Sequence, residues 1–268
     1  MGQTICIANP KGGVGKTTTA VNLSTAMAMA EKKTLLVDSD PQGNATTGLG
    51  IDKAKLSRTL YRAMIGKTEV TRTVMDTQLD FLKILPTGVD LYRAETELMT
   101  RAGRETVLEN LLKELKESYD YIIIDSSPSL SLLSKNSMAA SDSLLIPLQC
   151  EFYALEGMGH LLKTIQDLAT RNKLRIQING LLLTMFDPNE NICRQIADAA
   201  RGHFNGLVYK TVIPRNTDLR ESASYGKPLL LRNLLSPGAK GYLDLAREIW
   251  RREKPGTMKQ ADSEVGMV

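Results

Sequence analysis

At 268 residues, 42% hydrophobic and 24% charged, the chain carries enough apolar material for a sizeable core, and its balance excludes a disordered or fibrous class. The formal charge of +4 neither demands nor excludes a nucleic-acid partner, and three scattered cysteines without a C-x-x-C pair argue against a disulfide framework or zinc site and for a reduced, cytoplasmic setting. No stretch approaches the roughly 18 apolar residues of a membrane span, the amino terminus runs into a strand instead of a signal sequence, and Cys6 stands where myristoylation needs Ser or Thr.

The first strand is read from Thr4 to Ala8, and Lys11 to Thr18 follows as KGGVGKTT. Ala20, Leu23, Ala26, Met27 and Ala30 then recur at helical spacing, ending in Glu31-Lys32-Lys33. Strand, glycine loop and helix start together make a phosphate cradle: Gly12, Gly13 and Gly15 let the backbone wrap an anion, and the helix start adds free N–H groups. Lys16 can reach the β- and γ-phosphates, and the Thr17 hydroxyl is the usual Mg²⁺ ligand of such loops. The strict G-x-x-x-x-G-K-[ST] pattern wants glycine at position 10, where this chain has Pro10.

Thr34 to Val37 reads as a buried parallel strand, and its carboxyl end delivers Asp38 and Asp40 into a turn-rich run, DSDPQGNATTGLG. Ligands of open α/β sheets sit beyond the carboxyl ends of strands, so both carboxylates are expected to face the glycine loop. A short helix is expected over 55–67, a strand over 79–85, and helix throughout 89–118, with Leu108, Leu111, Leu112 and Leu115 on one face and Gly103 as a break. Tyr121 to Ile124 ends in Asp125, the apolar strand plus aspartate that fixes Mg²⁺ through water. Strands are expected at 143–147, 178–183 and near Val208, with helices over 154–170 and around Ile192, Ile196, Ala199 and Ala200. In the segment 242–250, Leu243, Leu245, Ala246, Ile249 and Trp250 read as a helix packed on the sheet. The pattern predicts one α/β domain over 1–254, a mostly parallel twisted sheet flanked by helices on both faces, and a loose tail over 255–268.

The K-G-G-x-G-K-T form, with its extra lysine before the paired glycines, resembles the deviant Walker A box of the ParA/MinD/nitrogenase-iron-protein ATPases. The runs VDSDPQGNATTGLG, YDYIIIDSSPSLSLLSKNSMAASDSLLIPLQCEFYALEGMGHLL, LLLTMFDPN and VIPRN…SYGKP resemble the ParA/Soj chromosome- and plasmid-partitioning ATPases, in order along nearly the whole chain. That resemblance implies slow, partner-stimulated ATP hydrolysis with Mg²⁺. Lys11 would reach across a dimer to the partner's nucleotide, and Gly12 to Thr18, including Val14, Gly15 and Thr18, would hold the phosphates through Lys16. Thr17, Asp38 and Asp125 would serve the metal, Asp40 would position the attacking water, and Pro214 and Asn216 would contact adenine. An ATP-bound homodimer, a ParB-like centromere-binding partner, non-specific binding to double-stranded DNA, and a nucleoid-associated location in the cytoplasm are implied with them.

Sixteen Lys or Arg against nine Asp or Glu between residues 160 and 254 make a basic third suited to phosphate backbones. Lys210, Arg220, Lys227, Arg232, Lys240, Arg247, Arg251 and Arg252 are the candidates for DNA contact. Two departures bear on that face: Asn189 and Asp218 stand where relatives carry arginine, and losing cations weakens counterion release. The alternative reading is therefore a ParA/MinD-like positioning ATPase for another cargo or surface. A membrane-binding helix is not expected, because the tail after Trp250 lacks apolar periodicity. An iron–sulfur carrier would need paired interface cysteines, whereas Cys150 and Cys193 read as buried thiols. His160 and His203 have no ligand-spaced neighbour.

Overall fold

The computed structural model describes residues 2–129, 131–151, 177–204 and 206–253, together with Gly159, Lys163, Ile165, Asp167, Ala169 and Thr170. Among them, eight strands form one sheet: β1 (Gln3–Ile7), β2 (Thr34–Ser39), β3 (Met75–Asp76), β4 (Leu82–Leu85), β5 (Tyr121–Ser126), β6 (Ser143–Gln149), β7 (Gln177–Phe186) and β8 (Val208–Pro214). Their order is β3-β4-β2-β5-β1-β6-β7-β8, and every neighbouring pair is parallel except β3 with β4.

The central strands are apolar without alternation because both faces are covered. Ile5, Ile7, Leu36, Ile123, Leu145 and Leu182 enter the core on one face, and Cys6, Leu35, Val37, Ile122, Ile124, Leu144 and Leu183 the core on the other. The register then decides where function can sit. Asp38 of β2 lies level with Asp125 of β5, which lies level with Ile7 of β1, so the acidic strand tips and the start of the glycine loop share one row.

The first helix, Lys16–Met29, is buried almost all round: Thr19, Asn22, Ser24 and Thr25 are inside as well as the predicted stripe, whose last member, Ala30, is exposed. The cause is the Pro237–Glu253 helix packed over it, where the Tyr242 and Thr19 hydroxyls meet at 3.2 Å. Tyr242, Leu245, Ala246 and Ile249 of that helix are buried, with Leu243 and Trp250 half-buried against the same core.

Several expected boundaries move. The segment 55–67 holds only a short 3₁₀ turn, Lys53–Lys55, and a helix, Leu60–Met64. The long helix expected over 89–118 is two, Tyr92–Leu98 and Val107–Lys113, because Gly103 adopts φ +71 in the turn between them and a left-handed residue cannot continue an α-helix. Strand β4 starts at Leu82 instead of 79, since the Thr77 hydroxyl donates to the carbonyls of Leu79 and Leu82 and closes a turn there. In the helix Asn191–His203 the inner face is Cys193, Ile196, Ala197 and Ala200; Ile192 is exposed and Ala199 half-buried. Most of the helix expected over 154–170, with His160, and the tail 255–268 lie outside the described residues. Among those described, no helix is long and apolar enough to cross a membrane.

Candidate functional site

The glycine loop is held from three sides. Asn9, buried, donates its amide to the Pro147 carbonyl of β6 at 2.7 Å and accepts the Lys11 N–H at 2.9 Å, fixing where the loop departs. The Thr184 hydroxyl at the tip of β7 donates to the Val14 carbonyl at 2.9 Å, fixing its middle. Lys16 closes it, its Nζ donating to the Lys11 carbonyl at 2.9 Å. Gly13 and Gly15 need their lack of a side chain for backbone reasons, with φ +77 and +92. A Cβ on Gly12 would meet nothing within 4 Å, so the inner surface there is open to an approaching anion.

Below the loop sit three carboxylates at 6% exposure or less: Asp38, Asp40 and Asp125. Asp38 is fully engaged. Its Oδ2 accepts the Thr46 N–H at 2.7 Å and the Thr46 hydroxyl at 2.6 Å, and its Oδ1 accepts the Asp40 N–H at 3.3 Å. Burial pushes Asp38 up to about 6 against the pull of those bonds. The Thr46 hydroxyl also accepts the Thr87 N–H at 3.0 Å, so Asp38 holds the Asn44–Gly48 helix and the loop after β4 together. Asp38, expected to serve the metal, thus has both carboxylate oxygens bonded within the chain and positions the strand tip against the helix that follows it.

Asp125 is the opposite case. It is completely buried, and neither carboxylate oxygen has a hydrogen-bond partner. Burial and then the neighbouring Asp38 drive its proton affinity well up, while Thr17 and Lys16 pull it down. Two orphaned oxygens beside a threonine hydroxyl and a lysine fit a hydrated divalent cation, which would supply the missing partners. Lys16 is itself nearly buried; burial lowers its proton affinity, opposed by Asp125 and Asp40.

A cavity of about 170 Å³ opens between the loop and the end of β8, lined by Gly15, Thr18, Met185, Pro214, Asn216 and Tyr242 among others. It suits one heterocyclic base rather than a whole nucleotide. The Asn216 Oδ1 accepts the Leu219 N–H at 3.1 Å, which orients its amide group. Pro214 and Asn216, expected to contact adenine, both line this cavity, and so does Arg220, expected on a DNA face.

Of the other seven expected DNA contacts, four line one groove and three do not. Lys210, Arg247, Arg251 and Arg252 line a groove of about 890 Å³ between edge strand β8 and the Pro237–Glu253 helix, joined by Arg201, which the sequence reading missed. Arg252 has structural work there, donating to the Val208 carbonyl and Glu248 and lying 4.0 Å from the Tyr209 ring centre. Glu248 accepts the N–H groups of Lys210 and Thr211, blunting the edge strand. Lys210 and Arg251 make no ion pair among the described residues. Lys227 lies beside Asn22, Arg232 stacks on Tyr225 at 4.0 Å, and Lys240 does not line the groove.

Lys11 is also placed. Its amine bonds the Glu151 carboxylate of the same chain at 2.6 Å, both side chains about half exposed. Cys150 and Cys193 are buried, the Cys193 thiol donating to the Cys150 carbonyl at 3.6 Å. Asn9, Thr46, Thr87, Thr184 and Glu151 escaped the sequence reading. For Thr184 a signal existed: a polar residue closing the apolar run Leu181-Leu182-Leu183, as Asp38 and Asp125 close theirs.

A family described as an AAA domain matches residues 2–178. The chain is 46% identical over 255 residues to the chromosome partitioning protein ParA of Myxococcus xanthus, covering 95% of this chain and 90% of that one. It is 47% identical over 249 residues to the sporulation initiation inhibitor protein Soj of Bacillus subtilis, covering 93% and 98%. Among solved structures, the cobyrinic acid a,c-diamide synthase from Mycobacterium smegmatis with bound ADP and magnesium superposes with a TM-score of 0.82 at 32% identity, over 95% of this chain and 96% of that one.

Proposed function

The chain belongs to the ParA/Soj family of partitioning ATPases, and from that premise we propose an ATP-driven switch that dimerises over its nucleotide, binds duplex DNA without sequence preference and answers to a ParB-like partner. It is an ATP hydrolase that uses ATP and Mg²⁺. The observation that carries the reading is the convergence of four strand tips on one loop: β1 feeds it, β2 and β5 bring the acids, and β7 pins it.

Phosphates fit within the arc of Gly12 to Thr18, with Lys16 on the β- and γ-oxygens. Thr17 and Asp125 would hold the metal, which offsets phosphate charge when bound. Asp40, whose Oδ1 accepts the Gln42 N–H at 2.9 Å, is aimed by its own turn and orients the attacking water. Lys11 of each protomer supplies a further cation to its partner's phosphates, as arginine fingers do elsewhere.

For that transfer the Lys11–Glu151 pair must open. Exposed pairs are worth about 0.2–1 kcal/mol. Two such pairs open per dimer, so Glu151→Gln is expected to tighten ATP-dependent dimerisation by up to about thirtyfold, read by sedimentation velocity in a non-hydrolysable analogue. An unchanged or weaker dimer would show that the pair does not compete with the crossing.

The DNA reading rests on the groove beside β8, where Lys210 and Arg251 are exposed cations without ion pairs among the described residues. We expect arbitrary duplex to bind in the presence of the analogue, with affinity falling linearly in log salt. Lys210→Ala and Arg251→Ala should each lower that slope by about 1. No binding at low salt would remove the partitioning role in its DNA-dependent form and leave an ATPase that positions another cargo.

A further inference from the structure

Strand β7 breaks its own rule at its carboxyl end. Leu181 and Leu183 point into one core and Leu182 into the other, so regular alternation would put Thr184 on the side of the first helix, Met185 opposite it, and Phe186 back beside Thr184. The pairing with β8 is instead irregular, running Leu181 to Val208, Leu183 to Val212 and Phe186 to Pro214; over the last interval three steps on β7 face two on β8, the count of a β-bulge. Phe186 consequently packs into the same core as Leu183, and Met185 joins Thr184 in lining the cavity beside the glycine loop.

The extra residue adopts a backbone that glycine normally supplies. Met185 has φ +52 inside a strand; among the described residues the other non-glycine residue with positive φ, Glu31, lies just past a helix end, where that conformation is ordinary. Bulges of this kind gather next to active sites and re-aim side chains, and a strained residue persists only where its surroundings enforce it. Both neighbours are fastened: the Thr184 hydroxyl to the Val14 carbonyl, and the Phe186 carbonyl to the Arg215 N–H at 3.0 Å. The strand tip thereby bridges the phosphate loop and the 213–220 segment, with the strained methionine between the two anchors.

The geometry points to Met185 as a base-positioning residue: its side chain is the apolar wall against which the nucleobase rests, and the bulge exists to turn it there. This rests on the nucleotide reading above and adds to it a side chain that sets affinity for the base and leaves the phosphates alone. A flexible, polarisable thioether suits a flat ring that must enter and leave.

The test compares Mg²⁺-ATP with Mg²⁺-tripolyphosphate on the full chain, by calorimetric titration and steady-state hydrolysis. Met185→Gly, which keeps the backbone conformation but removes the wall, is expected to weaken ATP binding about tenfold or more and raise KM alike, with kcat at saturation and tripolyphosphate affinity unchanged. Met185→Leu should stay within about threefold of the parent for ATP. Met185→Gln, similar in length but polar, should lose ATP affinity and so covers the case in which the glycine variant does not fold. ATP affinity unaltered in both Gly and Gln variants would overturn the assignment. Equal weakening toward ATP and tripolyphosphate would overturn it too, showing that the strand tip acts through the phosphate loop. If the parent protein binds neither ligand, the nucleotide reading itself falls, an outcome distinct from both.

Discussion

Replacing Lys16 with alanine is expected to cut nucleotide affinity by at least ~100-fold and to abolish turnover. Lys16 is 6% exposed, and its amine donates to the Lys11 carbonyl at the start of the glycine loop. Hydrogen bonds to charged partners contribute about 1.5–3 kcal/mol each, so losing two phosphate contacts accounts for that factor. The lysine also faces inward: Asp125 and Asp40 both favour its charged form, against the cost of burial. Without it the cluster keeps three buried carboxylates and no cation among them, so binding a polyanion meets repulsion as well as a missing donor. Lys16→Arg should not restore binding, because a planar guanidinium does not fit where a compact ammonium caps a backbone carbonyl inside a closed loop. Titration of a fluorescent ATP analogue reads both variants. Affinity within threefold of the parent in Lys16→Ala would mean the loop holds phosphate by its N–H groups alone.

Asp40→Ala should separate the two halves of the activity. Hydrolysis is expected to fall by ~10²–10⁴, the usual contribution of a positioned acid–base group, while ATP binding persists. Asp40 lies just past the end of β2, two residues beyond Asp38, and uses one oxygen on the Gln42 N–H, so its substitution leaves the Asp38–Thr46 anchor of the neighbouring helix intact. A stalled, ATP-filled dimer is therefore the expected product, visible as a slowly dissociating species on sizing with unhydrolysed nucleotide inside. Single-turnover phosphate release measures the chemical step directly. Turnover within tenfold of the parent would transfer the water-positioning role to another group. Asp125→Asn should behave differently, losing the Mg²⁺ dependence of nucleotide binding, because its two free oxygens are what the metal's waters would meet.

Much of this site was legible in one dimension. The order strand, glycines, lysine, threonine encodes a phosphate loop because the backbone constraint is local: positive φ at Gly13 and Gly15 and a helix start at Lys16 need no distant partner. The buried parallel strands were equally plain, since two covered faces leave a run without alternation, and an aspartate closing such a run marks the functional edge of the sheet. What was misjudged depended on packing. The single helix expected over 89–118 read periodicity correctly and Gly103 too weakly. The expected DNA contacts divided for a related reason: cations close in sequence, such as Arg220 and Lys227, line different, adjoining pockets beside Thr18 and Leu219, and Arg252 is drawn inward by Tyr209 and Glu248.

The sequence alone determined which chemistry is present: a triphosphate loop, an aspartate closing a buried strand, a second lysine and the ParA/Soj lineage, because each is written in residues that act through their own backbone or as strand-closing residues. Only the tertiary structure decided how the three acids divide their labour. Asp38 and Asp125 lie level across adjacent strands, yet the first is bonded twice by Thr46, in the helix that follows β2, and the second has only the Thr17 hydroxyl and Lys16 beside it. It likewise took the pairing of β7 with β8 to turn Met185 toward the base cavity, since a bulge is a mismatch between two strands and neither strand carries it by itself.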